Sequence, residues 1–106
     1  MRLKNDRYKK VRGGTSRLLA IMCPQCGEFV LEYQKDGSGA LKRLYIDRVR
    51  KNPSLEKYKN CTVEQMPDIT CKCCKSIIGR PFVYKKENRV AFRPISGGFI
   101  KKIVKI

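Results

Sequence analysis

From Leu18 the chain runs "LLAIM", and after a tight turn "EFVLEYQ" alternates Phe29, Leu31 and Tyr33 with Val30, Glu32 and Gln34. Period-two alternation in aromatic and branched residues predicts a strand. "KDGSG" then reads as a turn, because Asp-Gly and Gly accept the positive φ of hairpin loops. The next stretch, "ALKRLYIDRVRKN", reads two ways. Leu41, Leu44, Tyr45 and Val49 form a helical stripe with Ser38 as a cap, whereas Leu44 and Ile46 among Lys42, Arg43 and Arg48 form a return strand. The preceding Asp-Gly turn favours the strand. Asn52-Pro53-Ser54 breaks the pattern and opens a polar stretch to about Asp68, with a short helical turn at "SLEKYK". "RPFVYKK", "RVAFRPI" and "FIKKIVKI", separated by "EN" and "SGG", read as strands of an antiparallel meander. The expected fold is small and all-β, or β-rich α+β. A single domain spans residues 18–106, with an inserted hairpin or loop over about 36–68 and a C-terminal β-meander.

Residues 1–17 break from this pattern. Arg2, Lys4, Arg7, Lys9, Lys10, Arg12 and Arg17 surround one acid, Asp6, and Gly13-Gly14 adds further freedom. With almost no large aliphatic residues the segment cannot offset its ordering entropy, so it reads as a flexible basic arm that orders on a polyanion. A solubilising tail is the plainer alternative. Lys and Arg number 25 against nine Asp and Glu, a formal charge of +16 on 106 residues. A partner with dense negative charge would relieve that self-repulsion, and nucleic acid fits better than a membrane surface. No stretch approaches the ~20 apolar residues of a transmembrane helix, and "LLAIM" is too short for a signal-peptide core.

Six cysteines change the picture further. Cys23-Pro-Gln-Cys26-Gly27 has the spacing with which one tight turn offers two thiolates to a tetrahedral ion. Glycine after the second cysteine permits the left-handed backbone such knuckles use. In "TCKCCKS" the matching pair is Cys71 and Cys74, with Lys75 in the place of Gly27 and Cys73 between the ligands. There is no His, so a four-ligand zinc site must be all-cysteine or recruit a carboxylate. The 44 residues between the knuckles exceed the roughly 15 to 20 of compact sites. That extra length costs only roughly 0.8 kcal/mol of closure entropy, against on the order of 10–16 kcal/mol from structural zinc. Clustered cysteines without a disulfide framework point to the reducing cytoplasm. Cys61 and Cys73 read as bystanders. A thioredoxin-like pair would need βαβ units, and a deaminase-like site would need an upstream Cys- or His-x-Glu; neither pattern is present.

The two knuckles "CPQCG" and "CKCCK", each leading into a predicted strand, resemble the zinc-ribbon superfamily. "YQKDGSGALKRLYIDRV" and "YKKENRVAFRPISGGFIKKI" are also similar to small basic prokaryotic zinc-ribbon proteins. The resemblance implies antiparallel hairpins around one structural Zn2+, held by Cys23, Cys26, Cys71 and Cys74. It also implies settings such as ribosomes and transcription complexes. The spacer and Lys75 depart from typical ribbons, and the acidic tip of cleavage-factor ribbons is absent. A ribbon alone does not determine function.

Together these features lead to the expectation of a non-enzymatic, zinc-stabilised RNA-binding protein, ribosomal or ribosome-associated. Its phosphate contacts would come from the arm and from Lys42, Arg43, Arg48, Arg50, Lys51, Arg93, Lys101 and Lys102. Tyr45, Tyr84 and Phe92 lie among basic residues as candidate stacking platforms, with burial in the core as the competing role. A DNA-binding or polymerase-associated transcription factor is the first alternative, though no recognition helix is evident. A protein-interaction adaptor docking through an edge strand such as "FIKKIVKI" is the second. No catalytic constellation and no small-molecule site is expected.

Overall fold

A computed structural model describes residues 16–37, 39–95 and 99–104, and the basic arm through residue 15 lies outside the described residues. Among the described residues, eight strands run in chain order as β1 (Ser16–Met22), β2 (Phe29–Asp36), β3 (Leu44–Tyr45), β4 (Val49–Arg50), β5 (Ile69–Thr70), β6 (Ile77–Tyr84), β7 (Arg89–Pro94) and β8 (Ile100–Val104). Among the described residues one short α-helix, α1, spans Pro53–Glu56. The strands form two antiparallel four-stranded sheets, β4-β2-β1-β8 and β3-β7-β6-β5, as the all-β expectation required.

The ambiguous stretch after the Asp-Gly turn resolves as extended chain broken by one 3-10 turn, Ile46–Arg48. It is not a hairpin return to β2 along its whole length. Leu44 and Tyr45 pair with Phe92 and Ala91 in the second sheet, whereas Val49 and Arg50 pair with Tyr33 and Glu32 in the first. The turn therefore carries the chain from one sheet to the other. Leu44, Tyr45 and Val49 are buried on the way, which is why their spacing mimicked a helical stripe. The helical turn expected at "SLEKYK" is present, and it starts one residue earlier, at Pro53. The Asn52 side chain caps Leu55 N–H at 3.2 Å, and Pro53 sits where its missing donor does no harm.

Two further expectations change. The helical turn and the crossing strands occupy much of the 36–68 insertion, so it is built structure between the sheets. The C-terminal strands do not continue as a meander. β6 and β7 form a hairpin, but β8 leaves β7 and pairs with β1 across the molecule, Leu19 opposite Ile103 and Met22 opposite Ile100. β1 also begins at Ser16, so Arg17 belongs to a strand and not to the arm.

The core joins both sheets: Leu19, Ile21, Leu31, Tyr33, Leu44, Val49, Ile69, Ile78 and Phe92 pack in one cluster. The other face of β2 is also covered, which its alternation did not foretell. Glu32, Gln34 and Asp36 are buried beneath the crossing segment. Arg48, 1% exposed, donates to Asp36 Oδ2 at 2.9 Å, and Asp36 Oδ1 accepts from Ser16 Oγ at 2.8 Å and Gln34 Nε2 at 3.1 Å. A charge held this far from water is tolerable only when it is paired, and removing one partner strands the other. Asp36→Ala is therefore expected to lower unfolding stability by about 3–5 kcal/mol, measured by urea denaturation of the metal-loaded protein.

Candidate metal centre

Each knuckle is the connection of a tight hairpin. Cys23 follows β1 and the chain re-enters as β2; Cys71 follows β5 and the chain re-enters as β6. The backbone bonds of the two turns match one for one. Cys23 N–H donates to Glu28 C=O and Gly27 N–H to Cys23 C=O, at 2.8 and 2.9 Å. Cys71 N–H donates to Ser76 C=O and Lys75 N–H to Cys71 C=O, at 2.9 and 3.0 Å. Even the strand irregularity recurs, between Ile21 and Met22 in one hairpin and between Ile69 and Thr70 in the other. Gly27 has φ +79° and Lys75 has φ +65°, so both turns need a left-handed residue at that position. The second turn supplies it with lysine, at the steric expense of a Cβ in that region.

The turns face one another and bring four sulphurs together. Cys23 Sγ lies 3.5 Å from Cys74 Sγ, Cys26 Sγ lies 3.5 Å from Cys71 Sγ, and all four ligand atoms lie within 4.8 Å of one another. A tetrahedron with Zn–S bonds of about 2.3 Å has sulphur–sulphur edges of about 3.8 Å, inside that range. The spacing is far too long for disulfides, and all four cysteines are free thiols. The donor set thus fits one structural Zn2+, with Cys23 and Cys71 buried and Cys26 and Cys74 at the surface. Four protein thiolates fill the coordination sphere of a tetrahedral ion and leave no position for a substrate.

Local donors favour the thiolate form on the second knuckle. The Ser76 hydroxyl, 3.1 Å from Cys74 Sγ, and the Ser76 amide lower the Cys74 pKa to about 6. Amides of Cys74 and Cys73 also lower that of Cys71. At Cys26 the Glu28 amide pulls downward, but desolvation and hydrogen bonding to the three other thiols together push it up to about 12. Without a cation the four sulphurs cannot all ionise, and a bound metal removes that conflict. Lys72 and Lys75 are exposed on the same knuckle, where their charge offsets a zinc–tetrathiolate that is formally two units negative. Cys73 is exposed and Cys61 partly buried against the core, and neither joins the cluster.

The expected phosphate-contacting cations separate into three groups. Arg2, Lys4, Arg7, Lys9, Lys10 and Arg12 lie outside the described residues. Arg17, Lys42, Arg93, Lys101 and Lys102 are exposed, and Arg43 is half-buried. The crossing segment departs from expectation. Arg48 points into the Asp36 network and is closed to a phosphate, while Arg50 and Lys51 both pair with the buried Glu32 at 3.5 and 3.4 Å. With Glu56 and Lys59 they line a cleft of about 300 Å³.

The aromatic candidates separate as well. Phe92 is fully buried and is core, not platform. Tyr45 is 6% exposed beneath Arg89, while Tyr84 is half-buried. Phe82, absent from the sequence-based set, shares a sheet face with Tyr84. Strand parity within "RPFVYKK" was the signal that would have found it.

No family model, no curated protein and no solved structure matches the chain. The assignment of a metal site therefore stands on the geometry of the four sulphurs.

Cys71→Ser or Cys74→Ser is expected to release the metal and unfold the domain, whereas Cys73→Ser does neither; metal analysis with circular dichroism checks this. Acid should act in the same direction. A lowered thiol pKa stabilises the bound state above it and ceases to do so as pH falls through it. Zinc release to a chromogenic chelator is therefore expected to rise as pH falls, because protons compete with the ion for the thiolates.

Proposed function

We propose that this chain is a zinc-ribbon-type, zinc-stabilised RNA-binding protein without catalytic function, working on the ribosome or another nucleoprotein. The observation that carries the reading is where the carboxylates sit. Of nine acidic residues against 25 basic ones, Glu32, Asp36, Asp47, Glu56 and Glu87 are engaged by Arg50 and Lys51, Arg48, Arg89, Lys59 and Arg89 respectively. The remaining positive charge has little internal compensation. Among the described residues, Arg43, Arg80 and Arg93 have no carboxylate within ion-pair distance. A polyanion neutralises such a surface and gains the entropy of released counterions. The zinc clip holds the two sheets that display these cations.

A second reading has one observation of its own. β8 is an edge strand with Ile100 and Ile103 exposed at 51% and 68%, the form of edge onto which another protein's strand can add. Under that reading, a partner co-purifying with the chain would survive nuclease treatment.

The leading reading predicts a steep salt dependence. Affinity for structured RNA should fall by on the order of a hundred-fold or more between about 50 and 200 mM salt if five or more phosphates are contacted. Fluorescence anisotropy at several salt concentrations, with duplex DNA as competitor, measures it. Affinity that does not change with salt would overturn the proposal.

A further inference from the structure

The second sheet carries an outward face that the metal site does not use. Directly opposed residues of an antiparallel pair share one face. Phe92, Leu44 and Val90 are turned to the core, so the opposite set, Arg80 with Arg93, Phe82 with Ala91 and Tyr84 with Arg89, is turned away from it. Arg43 reaches the same face from just before β3. Its guanidinium carbon lies 4.1 Å from the Tyr84 ring centre, and its Nη1 donates to Tyr45 Oη at 3.4 Å. Arg93 lies 4.1 Å over Phe82, Arg89 lies 3.7 Å over Tyr45, and Tyr45 meets Tyr84 edge-on at 6.0 Å between centres. Tyr45 and Arg89 are buried, and the accessible part of the face holds two guanidinium–ring stacks, Arg43 on Tyr84 and Arg93 on Phe82.

Two features point to a ligand for it. Arg80 and Arg93 are cross-strand partners, and like charges directly opposite one another destabilise a sheet. Neither has an acidic partner among the described residues, and an anion bound across the pair would relieve the repulsion. In addition, the Arg43 and Arg93 guanidinium groups already lie over the Tyr84 and Phe82 rings, so little of their side-chain entropy remains to be lost on binding. A guanidinium held this way offers a flat apolar surface to a base and N–H edges to a phosphate. Acidic protein segments would satisfy the charge but leave the planar surfaces unused.

We infer that the outer face of the second sheet, built on Arg43, Arg80, Phe82, Tyr84 and Arg93, binds a single-stranded polynucleotide by stacking its unpaired bases on these planes while the guanidinium edges take its phosphates. The inference rests on the nucleic-acid reading above and deepens it by naming the surface and the strandedness of the ligand. Duplexes keep their bases stacked inside and present no base faces to such a platform.

The test uses the full-length, zinc-loaded protein with labelled oligonucleotides of about ten nucleotides, as single-stranded RNA, single-stranded DNA and RNA duplex. The single strands should bind tighter than the duplex, and comparing RNA with DNA shows whether the 2′-hydroxyl contributes. Phe82→Leu and Tyr84→Leu keep apolar bulk but remove the plane. Each should weaken single-strand binding on the order of ten-fold and leave duplex binding and the salt slope unchanged, whereas Tyr84→Phe, which keeps the plane, should bind single strands more tightly than Tyr84→Leu does.

A second readout needs no variant. The chain has five Tyr and no Trp, so tyrosine emission is directly visible and should be quenched when a single strand saturates the protein. Unchanged single-strand affinity in both leucine variants, duplex binding as tight as single-strand binding, or unquenched tyrosine emission at saturation would each overturn the inference. If salt-sensitive binding persists alongside one of those results, RNA binding stands and only the stacking face fails. Absence of binding to every probe overturns both.

Discussion

Four sulphurs held within 4.8 Å of one another are the constraint on which the rest of the molecule depends. Each knuckle closes its own hairpin, one at the end of β1 and one at the end of β5, so the site joins the first sheet to the second. Ionised together without a cation, these thiolates would drive the two hairpins apart. With a divalent ion they bind on the order of 10–16 kcal/mol, comparable to the whole stability of an ordinary domain. The long spacer between the knuckles is then no defect of the site. It holds the crossing segment, residues 44–50, which pairs with one sheet at its start and with the other at its end. Metal and crossing segment bridge the same two sheets, one by coordination and the other by backbone hydrogen bonds.

Charge is the second organising principle, and it is distributed unequally between inside and outside. The interior holds unusual polar density for a small domain: Arg48 on Asp36, the Arg50–Glu32 pair, and Arg89 between Asp47 and Glu87. These pairs specify which segment lies over β2 and over Tyr45, because a mispaired alternative would bury a lone charge. They also consume four of the nine carboxylates. The cations left outside repel one another, and the Arg80–Arg93 opposition shows that repulsion at single-residue scale. Folding tolerates it because zinc coordination and core packing are stronger; the proposed polynucleotide partner would relieve it.

How much could be seen beforehand differs from element to element. The ligand set was legible because C-x2-C spacing is a local property of one turn, and Cys73 was excluded by counting alone. Strands β2, β6 and β7 were legible from alternation and turn residues. The 41–50 stretch was not. Its apolar residues face a core contributed by two sheets, and a chain passing between them obeys neither period two nor period 3.6. Arg48 was misplaced for the same reason. In composition it is one more basic residue in a basic run, and only the carboxylate of Asp36, twelve positions away and inside the fold, makes burial acceptable. Phe82 and Phe92 show the limit on the aromatic side, since which parity of a strand faces water depends on what packs against the sheet.

The sequence by itself determined the four metal ligands, the β-rich class and the overwhelming positive charge, since each follows from residue type and short-range spacing. Only the tertiary structure decided that β8 returns to β1, that Arg48 lies in the interior, and that Arg43, Arg80, Phe82, Tyr84 and Arg93 converge on one face. Those outcomes depend on which distant strands pair and in what register. Strand pairing is settled by the burial and charge balance of the whole chain, which no local window contains.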